Sequence, residues 1–274
     1  MKRPSASDER QAAPVATHRV VVLGASNLAR GFPTVVETAQ RAWGRRLEMF
    51  VALGRGRSYG RSTRMLGRQL PGILDCGLWP ELAARSELPT TLPTTAVVTD
   101  IGNDLLYHEP VERIVGWVEA CLDRLVALEA RTVVTLLPIE NLERLSQVRF
   151  QILRRIFFPS SRVGLDEVGQ RALALNDGVR RLAEARGFDV VGPRAAWYGI
   201  DPIHIRSRHM TSAWREILTA EGPAPAAIDP VRTSLARALY LHSRRPFHRH
   251  FMGFEQRRSQ PSARLPGGTT IAFY

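Results

Sequence analysis

Five short runs of apolar, largely β-branched residues recur along the chain, and polar, helix-patterned segments separate them. His18–Leu23 runs into Gly24, Leu47–Leu53 into a glycine-rich loop, Thr95–Asp100 into Gly102, Thr132–Leu137 into Pro138, and Phe188–Val191 closes the series. Runs this short, stopped by glycine or proline, read as buried strands. Between them Val35, Val36, Ala39 and Trp43 repeat at helical spacing, with Pro33 tolerated near the start of that segment. Val111–Leu128 and Leu165–Arg186 are further amphipathic helices, and a short one covers Ser207–Ala220. A helix is also expected through Arg64, Met65, Leu66 and Leu70 up to Pro71. Strands alternating with long helices predict one doubly wound α/β domain with a parallel five-stranded sheet covered on both faces. The stretch from Asn141 to Gly164 is longer than a strand-to-helix connection needs, and it reads as an inserted amphipathic helix. Such an insertion either packs on the body or forms the wall of a pocket.

Composition narrows the picture without changing it. With 274 residues, 44% hydrophobic and 23% charged, the chain has ample material for a core. No apolar run approaches ~20 residues, so a membrane span is not expected. The polar N-terminal segment lacks the apolar stretch of a secretory signal, which makes the cytoplasm the expected location and residues 1–17 a disordered leader. Cys76 and Cys121 have no metal-ligand spacing, and neither a metal nor a cofactor is expected. The net charge of +12 raises the question of nucleic acid. Lys2 is the only lysine, however, so the excess is a chain-wide arginine bias and nucleic acid is not the favoured partner. Much of the positive charge sits in a C-terminal extension, residues 228–274, whose last residues read as a turn and an added strand.

In a parallel sheet of this kind, ligands gather outside the carboxyl ends of the strands. The loops there carry Ser26, the glycines around residue 56, Asn103, and the pair Asp201 and His204. A serine, backbone N–H groups, a side-chain amide and an Asp-x-x-His pair are the parts of acyl transfer. Each has a structural alternative when taken singly. Ser26 could cap the first helix, Asn103 could serve a turn, His204 could open a helix, and Asp201 before Pro202 is an ordinary turn signal.

The glycine loop, Gly54-Arg-Gly-Arg-Ser-Tyr-Gly60, admits other readings. Gly56 to Gly60 matches the G-x-S-x-G nucleophile elbow, but too few strands precede it and no HGGG-type loop is present. The glycines are spaced one residue too wide for a dinucleotide fingerprint, and they follow the second strand instead of the first. Nucleic-acid binding lacks interleaved aromatics beyond Tyr59. Ser58 is then a loop serine.

The blocks VVVLGASNLARG, Thr99–Asp104 with its Gly-Asn-Asp, and Asp201-Pro-Ile-His204 together resemble the SGNH or GDSL hydrolases over about residues 18–215. That resemblance implies a flavodoxin-like three-layer α/β/α fold and a serine esterase acting on a small acyl ester or thioester. It implies Ser26 as nucleophile, His204 as base, Asp201 as its partner, and an oxyanion hole from Ser26, Gly60 and Asn103. Gly56 is the alternative to Gly60, which is preferred because a helix is expected directly after it. Ala25 departs from the family's G-D-S and removes a carboxylate beside the nucleophile. A catalytically weak binding or regulatory module, or an acyltransferase with the same triad, are the alternatives. Arg30, Arg55, Arg57, Arg61 and Arg64 lie at the active edge. They suggest either an anionic substrate or nothing beyond the arginine bias.

Overall fold

The computed structural model describes residues 15–87, 92–159, 161–220 and 228–274; most of the expected leader, residues 1–14, lies outside them. Strands β1 (His18–Leu23), β2 (Leu47–Ala52), β5 (Thr94–Val98), β6 (Arg131–Thr135) and β7 (Asp189–Val191) pair in parallel in the order β2-β1-β5-β6-β7. Counting these five alone gives the flavodoxin-like order 2-1-3-4-5. The strands alternate their side chains between two cores. Val20 and Val22 face α1 (Ser26–Trp43) and α8 (Met210–Leu218), packing with Leu28, Phe32 and Trp214. Val21 and Leu23 face α4 (Val111–Val126) and α7 (Leu165–Arg186), packing with Leu122, Leu125 and Leu175. Because both faces are buried, the strands read as continuous apolar runs, which is why the sequence revealed them.

The sheet is wider than expected. Among the described residues it has seven strands, because β11 (Thr270–Phe273) adds in parallel to β2 and β10 (Ala263–Arg264) pairs antiparallel beyond it. The helix expected through Arg64–Pro71 is absent. In its place β3 (Thr63–Met65) and β4 (Arg68–Leu70) form a hairpin, joined at Leu66 (φ 50°) and Gly67 (φ 72°). Positive φ at both positions is what a two-residue hairpin loop demands, and glycine meets that demand. The hairpin extends into a small second sheet through β8 (His248–Phe251) and β9 (Phe254–Arg257). Helices α2 (Leu78–Ser86) and α9 (Leu235–His242) add to the elements expected from the sequence. The insertion folds as α5 (Ile139–Glu143) and α6 (Gln147–Phe157), and α3 (Asn103–Leu106) is a single turn after β5.

Candidate active site

Strands β1, β2 and β5 deliver three loops to one edge, and a fourth follows β7. Ser26 is the first residue of α1, and its hydroxyl makes no hydrogen bond among the described residues. The helix-capping alternative therefore does not hold for Ser26. The cap comes from another loop: Asp100 Oδ2 accepts Ala25 N–H at 2.9 Å and Leu28 N–H at 3.1 Å. Asp100 reaches them from left-handed backbone, φ 58°, a conformation Asp tolerates better than most side chains. The carboxylate missing at Ala25 thus has a counterpart 75 residues downstream.

Asn27 links this cap to the histidine loop. Its Nδ2 donates to Asp100 Oδ1 and to Ile203 O, both at 2.8 Å, and its Oδ1 accepts Ile205 N–H at 2.8 Å. Both amide hydrogens of this buried side chain are used and its oxygen accepts once, and two of these three bonds hold the residues on either side of His204. His204 is itself buried, with Nδ1 2.6 Å from Asp201 Oδ2. Asp201 Oδ1 accepts the backbone N–H of Ile203 and of His204. Burial opposes ionisation of Asp201, but the histidine and backbone donors outweigh it and hold the carboxyl below its ordinary range. Phe157 of α6 lies edge-on to the imidazole, ring centres 5.1 Å apart. No hydrogen bond joins Ser26 Oγ to His204 Nε2 in this arrangement.

Ser26 and Asn103 line the same pocket, as do Pro202, Ile203 and Ile205 around His204. The pocket opens to solvent and is lined mainly by apolar side chains. The inserted helix supplies part of its wall through Phe150, Leu153, Arg154 and Phe157. Asn103 Nδ2 donates to Arg57 O at 3.2 Å, which ties the third loop to the glycine loop.

Gly60 does not join this group. Its N–H donates to Ser58 Oγ at 3.1 Å, and it packs so tightly on Trp117 that an added Cβ would meet the ring at 2.0 Å. The preference for Gly60 rested on a helix expected after the loop, and a hairpin follows there instead. Gly56 differs: φ is 64°, Tyr107 Oη donates to its carbonyl at 2.6 Å, and its N–H has no acceptor among the described residues. Ser58 is fully buried, and its hydroxyl also accepts Arg61 N–H at 3.0 Å, which leaves it no route to a substrate. Asp104 locks the same loop by accepting Tyr59 N–H at 2.9 Å, and burial raises its carboxyl to about 6.

The arginines singled out in the sequence do not line the pocket beside Ser26. Arg57 is a fully buried strut that donates to Pro71, Leu53 and Tyr274 carbonyls. Arg61 pairs with Glu109 at 3.0 Å, and Arg64 with Gln69 at 3.3 Å. For a metal, the one cluster found among the described residues is His248, His250 and Glu255, with ligand atoms within 4.8 Å of one another. It belongs to the small sheet, and Glu255 Oε1 already receives Arg257 at 2.7 Å and His248 at 3.1 Å.

The strand order and the covered faces define a flavodoxin-like three-layer α/β/α fold whose loops at one sheet edge carry Ser26, Asn103 and the Asp201–His204 pair. No family model matches the sequence, and no curated protein matches it. Solved structures do. The chain is similar to the psychrotrophic esterase EstA from Pseudoalteromonas sp., at 12% identity over 73% of this chain and 93% of that one, TM-score 0.41. It is similar to TesA, at 14% identity over 73% of this chain and 96% of that one, TM-score 0.46. It is also similar to a GDSL-like lipase from Bacteroides thetaiotaomicron, at 15% identity over 77% and 90%, TM-score 0.44. No helix among the described residues is long and apolar enough to cross a membrane.

Proposed function

We propose that the protein is a serine hydrolase of carboxylic esters or thioesters. The observation that carries this reading is the Asp201–His204 pair, held by Asn27 against the start of α1, where Ser26 lines an apolar pocket with a free hydroxyl. Ser26 Oγ attacks the acyl carbon while its proton passes to His204 Nε2, and Asp201 fixes the imidazole through Nδ1. The carbonyl electron pair moves onto oxygen. That oxyanion is received by Ser26 N–H at the positive end of α1, by Gly56 N–H and by Asn103 Nδ2. His204 then returns the proton to the leaving group as the carbonyl reforms, giving an acyl-Ser26. Water deprotonated by His204 attacks this ester and releases the acid and the free serine. Asn103 has one amide hydrogen left after its bond to Arg57 O, so it can donate without releasing the loop.

The test is hydrolysis of short 4-nitrophenyl esters by the full chain and by Ser26→Ala, His204→Ala and Ser58→Ala. Turnover lost in the first two and kept by a folded Ser58→Ala supports the reading. Turnover that survives Ser26→Ala contradicts it.

A further inference from the structure

The pocket beside Ser26 is apolar apart from a few groups, and among the described residues lining it two carry charge, Asp100 and Arg154. Asp100 is already committed, accepting Ala25 N–H, Leu28 N–H and Asn27 Nδ2. Arg154 is not. It makes no ion pair among the described residues, and its one side-chain bond is from Nη2 to Gln151 Oε1 at 2.7 Å. Its Nε is buried without any partner.

The helical register sharpens this. Phe150, Leu153, Arg154 and Phe157 share the inward face of α6 and line the pocket, whereas Arg149 and Arg155 are exposed. One arginine of the insertion thus lies on the apolar side, where Gln151 accepts from Nη2 and, among the described residues, nothing accepts from Nε. A guanidinium carries five donors, and leaving a buried one unpaired costs free energy that an oxyanion ligand would recover.

We propose that Arg154 is a substrate-binding residue for an anionic group, a carboxylate or phosphate, carried by the ester in addition to its scissile bond. This rests on the hydrolase reading above and names its substrate class: an acyl ester with an apolar body and one oxyanion. The arginines around the glycine loop, which left an anionic substrate open, do not line this pocket, whereas Arg154 of the inserted helix does.

The experiment compares kcat/KM for 4-nitrophenyl hexanoate, the 4-nitrophenyl monoester of adipic acid, and 4-hexanoyloxybenzoate, in wild type, Arg154→Gln and Arg154→Lys. The second ester carries its anion on the acyl side and the third on the leaving group, so the favoured one locates the charge. In Arg154→Gln, kcat/KM for the favoured anionic ester should fall about 10- to 100-fold more than for the neutral hexanoate, chiefly through KM. Arg154→Lys, which keeps charge but loses the planar fork, should fall between. An anion-to-neutral ratio that Arg154→Gln leaves unchanged overturns the proposal. Should no ester be turned over, the hydrolase reading fails separately, and binding decides this one. Calorimetry on Ser26→Ala should then show monomethyl adipate binding more tightly than dimethyl adipate, with the difference lost in Ser26→Ala/Arg154→Gln. Equal binding of the two esters overturns it.

Discussion

At the residue scale the site depends on two side chains whose hydrogen bonds hold its loops together, Asp100 and Asn27. Asp100 caps α1 from outside the helix, and Asn27 fixes the distance between that helix and the His204 loop. Asp100→Ala should cost about 0.5–2 kcal/mol of stability, as loss of a cap does. It should also lower kcat by about 10²-fold with little change in KM, since a displacement near 1 Å suffices for that. Thermal unfolding and steady-state kinetics on the same preparation check both. Asp104 gives a pH prediction. Its carboxyl titrates near 6 when folded, above the 3.8 of an exposed Asp, so between those values the native state holds the proton that the unfolded chain has released. The native state then binds more protons, and stability falls as pH rises through this window. Asp104→Asn, which keeps an acceptor for Tyr59 N–H, should flatten the fall in urea midpoint between about pH 4 and pH 6. An unchanged slope would assign the effect to other groups. Ser26, Asn103, Asp201 and His204 were candidates from the sequence because each sits in a short motif, Ser26 and Asn103 soon after β1 and β5, and Asp201 and His204 in the longer segment after β7. Asp100 and Asn27 could not, because their partners lie far along the chain and Asp100 acts from an unusual φ.

At the element scale, the inserted helix α6 converts an open sheet edge into a walled pocket. Its apolar pattern was visible in the sequence, but the choice between packing on the body and walling a pocket was not, since periodicity reports a buried face without naming what is buried against it. Its opposite face leaves Val148, Ile152 and Ile156 exposed, so the helix is apolar on two sides. The inward face makes a concrete prediction about acyl length. Leu153→Ala should lower kcat/KM for a hexanoyl ester about tenfold relative to an acetyl ester, given about 0.8 kcal/mol per buried methylene. A series of 4-nitrophenyl esters from acetate to octanoate measures it. Equal losses along the series would mean that the acyl chain lies elsewhere. The hairpin at Thr63–Leu70 was misread for a physical reason. Its apolar residues recur at helical spacing, and only the positive φ at Leu66 and Gly67 separates the two structures.

At the scale of the whole molecule, the C-terminal segment is built into the architecture. Ile271 is fully buried in β11, paired in register with Met49 of β2. The segment's last strand was readable from its turn and apolar run, whereas the small second sheet was not, because it joins strands about 180 residues apart. Ile271→Asp buries an unpaired carboxylate beside β2 and should unfold the chain or lower its melting temperature by several degrees, read by circular dichroism. The five parallel strands were legible because each is buried on both faces, and their order then fixed which loops meet. The central claim is that this meeting point activates Ser26. Treatment of the native protein with a fluorophosphonate probe, followed by mass spectrometry of the tryptic peptides, tests it most directly. One adduct is expected, on Ser26, abolished by prior heat denaturation and by His204→Ala. No adduct on the folded protein, or an adduct on a serine other than Ser26, would contradict it.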